Sequence, residues 1–329
     1  MIDITVIIPT RRRPDSLAVT LQDLAKADRQ GLTVEIVVVE NDDVNRSESA
    51  LKSFQDQFVL RYYLEPRTGK SYALNRALDE GVGGRIIAVL DDDMSVDPKW
   101  FRGVIAITQR WPNKGFYTGC SAVRWPERDI PEWCKIGDLQ RWAYSVEGHW
   151  TRDSEIGSDR WASGNFFWFR KGVLSDHRRF PHPNGIDLNT YMDLLEPKFM
   201  LQLAEEGLGG VAAPDAFVWH RVQKDLLEVE TLRKRAGRCG RAFADVRLRP
   251  FQKNSRRCQK FKRHPIIARA YCVWYFLRAC GVRFWARFSR QPDSQIGHQI
   301  HAEMEMAYYG ELLRIASKMP EYRCWKSSK

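Results

Sequence analysis

The chain has 329 residues, of which 43% are hydrophobic and 28% are charged, and its formal net charge is +11. This is the composition of a folded globular protein and excludes a disordered or collagen-like chain. Seven scattered cysteines without a C-x-x-C pair argue against a disulfide framework and a zinc knuckle, and no secretion leader opens the sequence. We therefore expect a cytoplasmic protein with one large α/β domain and an appendage, or with two domains.

The first 110 residues alternate between short apolar runs and amphipathic stretches. Residues 3–9 and 33–40 are rich in β-branched side chains, whereas 16–31 has leucines at a helical spacing. A third apolar run, 61–64, precedes another helical stretch, and 85–90 is continuously apolar. This alternation predicts a parallel, doubly wound sheet with helices on both faces.

Polar clusters follow three of these runs, at residues 9–11, 40–42 and 91–93. Ligands of doubly wound sheets bind at the carboxyl ends of the strands, so these clusters predict a binding site. Asp91, Asp92 and Asp93 repel one another, and a divalent cation that also binds phosphate is the simplest compensation. If the strand continues regularly, Asp91 and Asp93 share a face and Asp92 turns away. A solvated acidic turn is the alternative.

The middle of the chain, 112–220, is rich in Trp, Gly and Pro, with a predicted strand at 165–170 and a predicted helix at 197–206. Near residue 222 the composition becomes basic and helical. Residues 233–290 contain 18 Lys and Arg against one acid, Asp245. Such a block indicates an anionic partner.

An apolar and aromatic segment lies within the basic block, at 265–288, but arginines interrupt it too often for a membrane-spanning helix. Its pattern predicts an interfacial helix on an anionic membrane, with Arg269, Arg283 and Arg287 on one side. Trp274, Phe276 and Trp285 would lie near the lipid boundary. The alternative is a helical subdomain that packs its aromatic side chains on the core or across a dimer interface. No nucleic-acid-binding motif accompanies the charge.

Six segments, in this order and at these intervals, resemble family 2 glycosyltransferases. They are VIIPTRRRPDSL, VVVENDD, GKSYALNRAL, VLDDDMSVDPKW, ASGNFFWFRKGV and EPKFMLQLAEEG. The subgroup that the sequence resembles most contains succinoglycan and other exopolysaccharide or lipopolysaccharide transferases. The resemblance implies an α/β GT-A domain over 1–222, with a Rossmann-like, mostly parallel sheet. Its nucleotide half is about 1–110 and its acceptor half about 111–222, and 223–329 is a basic helical region that associates with membrane or oligomerises.

The resemblance also implies a set of site residues. Those implied to bind a nucleotide sugar are Pro9, Thr10, Arg11, Glu40, Lys70, Asn75, Asp91, Asp92, Trp161, Gly164 and Asn165. The implied ligands of Mg²⁺ or Mn²⁺ are Asp91, Asp93 and His220. Family members more often have Asp where Glu40 stands, and a surface strand end is the alternative for this residue. Simple helix-surface and structural roles are the alternatives for Asn75 and His220.

The catalytic base is the residue for which the family pattern is altered. Counting back from Gly207 places Glu196 where the second, base-contributing carboxylate of the family's acidic pair lies, and Leu195 replaces the first. The alternative is that Glu196 only caps a helix whose first position is Pro197. Asp187 and Asp193 are reserve candidates.

Three rival functions use similar sequence signals. The TGKS segment ends like a phosphate loop, but that motif requires Gly at the position of Leu64. A nucleotidyltransferase and a non-catalytic nucleotide-sugar-binding scaffold remain as alternatives. The preferred prediction is a metal-dependent inverting glycosyltransferase. Its donor is a nucleotide-diphosphate sugar, most often a UDP-sugar in this family, and its acceptor a lipid-linked or growing glycan at the cytoplasmic membrane face. The basic tail would also suit a homo-oligomer.

Overall fold

The computed structural model describes residues 1–126, 129–148, 150–157, 160–174, 178–182, 192, 194–248, 265–285 and 292–318. The chain divides into two units. The sheet unit comprises the described residues of Met1–Arg124, Ser145–Asn184 and Leu195–Arg221. The helical unit comprises those of Trp125–Tyr144, Gly185–Leu194 and Val222–Lys329. The chain therefore passes between units near the predicted boundary at 222 and also at earlier points. Asp187, Asp193 and Arg287 lie outside the described residues.

Nine strands form a single sheet in the described part of the sheet unit. They are β1 Ile4–Thr10, β2 Val34–Glu40, β3 Val59–Leu64, β4 Ile86–Leu90, β5 Met94–Val96, β6 Phe116–Arg124, β7 Ser154–Ile156, β8 Phe166–Arg170 and β9 Gly210–Arg221. Their order is β3-β2-β1-β4-β8-β6-β9-β5, and β7 pairs with β9. The α/β fold is confirmed, and β1 to β4 are parallel as predicted. The sheet is mixed beyond them, because β8 runs antiparallel to β4 and β6.

The described helices are α1 Pro14–Lys26, α2 Glu48–Leu51, α3 Lys70–Asp79, α4 Trp100–Arg110, α5 Gly137–Ala143, α6 Leu195–Glu205, α7 Val229–Leu248, α8 Pro265–Trp285 and α9 Pro292–Lys318. Short 3₁₀ turns lie at Lys52–Phe54, Glu132–Lys135, Lys171–Val173 and Lys224–Leu227. The helices α1 and α3 connect successive parallel strands, as a doubly wound sheet requires. After α3 the alternation is interrupted, because β5 follows β4 and β8 follows β7 without a described helix between them. The sheet includes antiparallel pairs in this part.

Alternation along β1 sorts its side chains between two helical layers. Val6 and Ile8 belong to the core cluster that includes apolar residues of α1 and α4. Ile7 belongs to the other cluster, with residues of α3 and α6. Each fully buried aliphatic side chain stabilises the fold by about 1.5–3 kcal/mol, so burial on both faces holds the end of β1 in place. This rigid strand end carries part of the site.

The helical unit has a separate core in which α7, α8 and α9 meet. Ala244, Cys272 and Leu312 form its buried centre. The ring of Tyr275 stacks on that of Tyr309, with 5.2 Å between centroids. Of the helices that the structure describes, none combines enough length and hydropathy to cross a membrane.

Candidate active site

The chain order of the sheet reverses between β1 and β4. Both β2 and β3 lie on one side of β1, and β4 lies on the other. In open α/β sheets such a switch point leaves a crevice at the carboxyl ends of the strands, because the two neighbouring connections diverge. β1 ends at Thr10 and β4 at Leu90, so residues 91–93 lie at this crevice.

The three aspartates do not continue the alternation of β4. The strand ends at Leu90, and the amide of Asp91 donates to the carbonyl of Asn165 at 2.9 Å. Asp92 and Asp93 share one guanidinium, since Nη1 of Arg13 lies 3.5 Å from Asp92 and 3.2 Å from Asp93. Asp91 pairs elsewhere. Asp92 is therefore not turned away from Asp93 as expected, because one guanidinium contacts both.

Lys70 links Asp91 to Glu196. Its Nζ lies 2.5 Å from Oδ1 of Asp91 and 2.8 Å from Oε1 of Glu196, and it donates to the carbonyl of Gly164 at 2.7 Å. Lys70 opens α3 directly after Gly69, which has φ of +140°. A side chain rarely adopts this φ, so glycine permits the sharp entry that aims Lys70 into the crevice. One cation thus joins two carboxylates from different elements.

Glu196 lies in the first turn of α6 and is 4% exposed. The helix begins at Leu195, two residues before the first helical position, Pro197, that the capping alternative supposes. A Cβ added to Gly164 would lie 3.1 Å from Cδ of Glu196, so the carboxylate packs directly on the backbone of the 164 loop. Burial, the Lys70 contact and this packing together hold one carboxylate orientation.

Burial and charge separate the three aspartates by their pKa values. Burial raises the pKa of Asp91 to about 7, although Lys70 opposes the shift. Burial and then the charge of Asp93 raise the pKa of Asp92 to about 6. Burial also opposes ionisation of Asp93, but His220 and Arg13 outweigh it and lower the pKa to about 2. Burial thus opposes the charged forms of Asp91 and Asp92, and a further cation beside them would favour those forms.

The end of β9 supplies His220 and Arg221. Nε2 of His220 lies 3.5 Å from Oδ2 of Asp93, and the amide of Arg221 donates to the carbonyl of Asp93 at 2.8 Å. The Arg221 guanidinium donates to the carbonyls of Met94 and Asp92 at 2.6 and 2.9 Å. It also donates to Oγ1 of Thr20 in α1 at 2.7 Å. Sequence reasoning selected His220 and missed both Arg221 and Arg13, which only the folded chain brings to the aspartates.

Glu40 is fully buried at the end of β2, so a surface strand end is excluded. One carboxylate oxygen accepts from the amide of Arg12 at 2.8 Å, and the other accepts from the hydroxyl of Ser47. The next residue, Asn41, was not singled out as a site residue. Its amide group donates to the carbonyl of Arg67 at 2.7 Å and accepts from the amide of Gly69 at 2.8 Å. Asn41 thereby braces the loop that precedes Lys70.

The first strand contributes Pro9, Thr10 and Arg11. Pro9 and Thr10 are buried, and Arg11 is exposed just beyond the strand end. The hydroxyl of Thr10 donates to Oδ2 of Asp92 at 2.7 Å, which joins the ends of β1 and β4. Of these three predicted residues, Thr10 is the one that the described contacts bring to the aspartate cluster.

The remaining predicted residues have different surroundings. Both amide atoms of Asn75 bond the backbone of Phe180 at 2.9 Å, which gives Asn75 a structural role and excludes the helix-surface alternative. Trp161 is half-buried in the loop before β8. Nδ2 of Asn165 donates to the carbonyl of Ser145 at 3.1 Å, whereas Oδ1 is buried and has no donor among the described residues. A buried acceptor without a donor costs about 1–3 kcal/mol, so a ligand hydroxyl would stabilise Asn165.

The donor atoms near the aspartates suit a divalent cation. Carboxylate oxygens bind Mg²⁺ and Mn²⁺, and an imidazole lies beside Asp93. Within the described ranges, no three acidic, histidine or cysteine side chains already converge as ligands of one ion. Arg13 and Lys70 instead pair with the carboxylates. The chemistry of the donor set, carboxylates with an imidazole beside Asp93, is the observation that fits a cation at this position.

The sheet order and the acidic switch point are consistent with the predicted transferase fold. The family model of glycosyl transferase family 2 matches residues 5–176, more than half of the chain. The chain belongs to glycosyl transferase family 2. The predicted family and the predicted enzyme class, a glycosyltransferase, are confirmed, and the succinoglycan-type subgroup stays a prediction. No curated protein sequence gives a significant match.

Solved structures with the same fold are distant in sequence. The chain is 12% identical to S. aureus TarS 1–349 in complex with UDP-GlcNAc, with a TM-score of 0.51 and coverage of 100% of this chain and 93% of that one. The mannosyltransferase PcManGT from Pyrobaculum calidifontis, in complex with GDP-Man and Mn²⁺, is 17% identical, with a TM-score of 0.51 and coverage of 98% and 78%. GalNAc-T7 with UDP, GalNAc and Mn²⁺ is 13% identical, with a TM-score of 0.50 and coverage of 80% and 55%. In another TarS structure the chain spans 55% of that protein. These similarities show the fold.

Proposed function

We propose that this protein is a metal-dependent, inverting glycosyltransferase. It transfers a sugar from a nucleotide-diphosphate sugar, with UDP as the favoured nucleotide, to a hydroxyl of a lipid-linked or growing glycan. The reaction would take place at the cytoplasmic face of the cell membrane. The observation that carries the proposal is the position of buried Glu196 beside the aspartate cluster at the switch point, joined to it by Lys70.

Glu196 would act as the general base. Its carboxylate takes the proton of the acceptor hydroxyl while that oxygen forms a bond to the anomeric carbon. The bond from this carbon to the diphosphate oxygen breaks, and its electron pair leaves with the nucleoside diphosphate. Attack from the face opposite the leaving group inverts the anomeric configuration. Lys70 and the backbone at Gly164 hold the carboxylate in one orientation during proton transfer.

Asp91, Asp93 and His220 would hold Mg²⁺ or Mn²⁺. The bound ion would neutralise charge on the diphosphate and so stabilise the leaving group. Mn²⁺ in the structures of PcManGT and GalNAc-T7 supports this part of the proposal for a chain of the same fold. UDP-GlcNAc and GDP-Man in two of the related structures support a nucleotide-sugar donor.

The donor site would use the ends of β1, β2 and β8. Thr10 lies beside Asp92, and Glu40 orders the segment after β1, which includes Arg11, through the amide of Arg12. Asn165 offers its buried oxygen to a hydroxyl of the sugar, which would satisfy an acceptor that lacks a donor among the described residues. Trp161 and Gly164 would border the same sugar.

The test is consumption of a panel of UDP- and GDP-sugars with Mn²⁺ or Mg²⁺, with membrane extract as the source of acceptor. We expect one donor to be consumed, and Glu196→Gln to lower transfer by about 100-fold or more while donor binding persists. Asp93→Ala should abolish the metal-dependent transfer. Glu155→Gln, a matched change of an exposed side chain, should leave transfer unchanged. If a nucleotide sugar binds to the wild type and none is consumed, the non-catalytic alternative replaces this proposal. If none binds, the site assignments are wrong.

A further inference from the structure

Helix α8 has an exposed side made of large apolar residues. Of the twelve large hydrophobic side chains that are exposed in the described part of the chain, eight belong to this helix. They are Ile267, Tyr271, Val273, Trp274, Leu277, Val282, Phe284 and Trp285. Isolated exposed apolar residues are ordinary, but a contiguous set of this size marks an interaction surface. We call these eight residues the α8 apolar face.

Helical geometry groups the exposed residues on one side. At about 100° per residue, Ile267, Trp274 and Leu277 fall within about 80° of one another. These three side chains are 67%, 59% and 62% exposed. Cys272 and Ala279 fall on the opposite side of the helix, and both are fully buried. The helix therefore has one packed side and one apolar side that is open to solvent.

The packed side accounts for the place of α8 in the helical unit. Cys272 lies in the same core cluster as Ala244 of α7 and Leu312 of α9. Stacking of Tyr275 on Tyr309 adds a second contact with α9. Packing within the unit therefore leaves the α8 apolar face outside its core. An amphipathic surface helix ordinarily turns its polar side to water. The α8 helix instead exposes an apolar side, so we expect a partner with an apolar surface to cover it.

The segment of sequence that contains this helix is strongly basic. The segment 233–290 carries 18 Lys and Arg against one acid. The carboxylates of α9 balance part of this charge. Glu303 lies 3.5 Å from Arg233 and 3.2 Å from Arg283, and Glu305 lies 3.2 Å from Arg278. One carboxylate shared by two guanidiniums leaves a net positive charge.

We propose that the α8 apolar face docks on an anionic phospholipid surface, with the helix in the plane of the interface. Trp274 and Leu277 enter the boundary between headgroups and acyl chains, and Arg278 reaches the headgroup phosphates. The excess positive charge of the segment strengthens attraction to anionic lipid. A second copy of the chain is a less favourable occupant, because two such faces would bring like charges together. Docking does not depend on the glycosyl transfer proposed above.

The experiment is flotation of the whole protein with two kinds of vesicle, in the absence of any sugar donor. One kind contains phosphatidylcholine alone, and the other contains equal parts of phosphatidylcholine and phosphatidylglycerol. We expect partition into the phosphatidylglycerol vesicles, weakened by high salt. Combined Ile267→Ser, Trp274→Ser and Leu277→Ser should lower the partition coefficient by about tenfold or more. Combined Val19→Ser, Val44→Ser and Val59→Ser, a matched change of exposed apolar residues outside α8, should leave it unchanged.

Circular dichroism and thermal unfolding establish that both triple variants are folded, and sedimentation velocity reports the oligomeric state. Absence of wild-type binding to either vesicle overturns the proposal. Equal binding to both vesicles overturns the role of anionic lipid. A wild-type dimer that the α8 variant converts to a monomer, without vesicle binding, assigns the face to a second copy instead. Because no turnover is measured, these results stand apart from success or failure of the glycosyltransferase assay.

Discussion

The ammonium of Lys70 lies 2.8 Å from the carboxylate of Glu196 in the first turn of α6. The same ammonium contacts Asp91, which follows β4. Burial alone would lower the pKa of Lys70, but the two carboxylates raise it above its ordinary value. Lys70 is therefore charged, and it holds the proposed base next to the proposed metal site. The resemblance implied that Lys70 binds the nucleotide sugar, whereas the geometry favours positioning of Glu196.

Replacement of Lys70 by methionine should destabilise the fold and impair transfer. Removal of one partner from a buried ion pair leaves an uncompensated charge and costs about 3 kcal/mol. Urea unfolding of Lys70→Met should show a loss of that order, and Lys70→Arg should recover part of it. Lys135→Met removes an exposed pair with Glu132 and should cost less than about 1 kcal/mol. Equal losses in the two methionine variants would contradict a buried linking role.

Gly164→Ala should lower turnover more than it lowers stability. The added Cβ would lie 3.1 Å from Cδ of Glu196, closer than ordinary van der Waals contact, so the carboxylate must shift. A displaced base loses alignment with the acceptor hydroxyl, and we expect kcat to fall by about tenfold or more. Gly172→Ala is the matched control, because a Cβ there meets no atom within 4 Å. Steady-state kinetics with the identified donor check this, and an unchanged kcat would show that Glu196 tolerates the shift.

The protein without divalent cation should lose stability as the pH rises from about 4 to about 7. Burial raises the pKa of Asp91 from 3.8 to about 7, so in this range the folded protein keeps a proton that the unfolded chain has released. Asp92, with its pKa raised to about 6, acts in the same direction. The pKa of Asp93 is lowered to about 2, so its favourable contribution is lost only as the pH falls below about 4.

Thermal unfolding at a series of pH values checks this prediction. Asp91→Asn should reduce the loss of stability that occurs as the pH rises. Added Mn²⁺ should raise stability most at the higher pH, because a cation takes the place of the bound proton. A metal-free stability that increases over the same range would show that the aspartates are not destabilised by burial.

Arg221→Lys should loosen the segment that carries the aspartates. The guanidinium joins the carbonyls of Asp92 and Met94 to the hydroxyl of Thr20 in α1, and a lysine ammonium cannot span these acceptors. We expect a loss of about 1–3 kcal/mol in the free energy of unfolding and weaker Mn²⁺ binding by calorimetry. Arg85→Lys changes an exposed ion pair with Asp3 and is the control. If the Arg221→Lys protein is destabilised but binds Mn²⁺ with unaltered affinity, Arg221 stabilises the fold and does not position the metal ligands.

The sequence predicted those strands and helices whose own residues form a clear apolar pattern. Continuous apolar runs predicted β1, β2 and β4, because strands covered on both faces must be hydrophobic throughout. The helical stretch predicted after the third apolar run corresponds to α3, which ends at Asp79. The strand β8 and the helix α6 were also predicted, since their apolar patterns are strong. The strands β5, β6, β7 and β9 were not separately predicted, because the segments around them lack a regular period.

The candidate site shows the same division between local pattern and tertiary contact. Three adjacent aspartates after an apolar strand could be recognised as a charged cluster from the sequence alone. The sequence alone could not show which cation pairs with which aspartate. The strand β4 ends at Leu90, so the regular alternation of side chains no longer applies to residues 91–93. Arg13 and Lys70 reach the aspartates only when α1 and α3 pack on opposite faces of the sheet.

The sequence by itself determined the alternation of strands and helices, the acidic strand end, the family and the basic C-terminal block. These depend on the order and period of neighbouring residues, which the chain carries before it folds. Tertiary structure decided which cation pairs with which carboxylate, that Glu40 is buried, and that the apolar side of α8 is the exposed one. Such features join residues far apart in the chain, and burial then sets their charge and pKa.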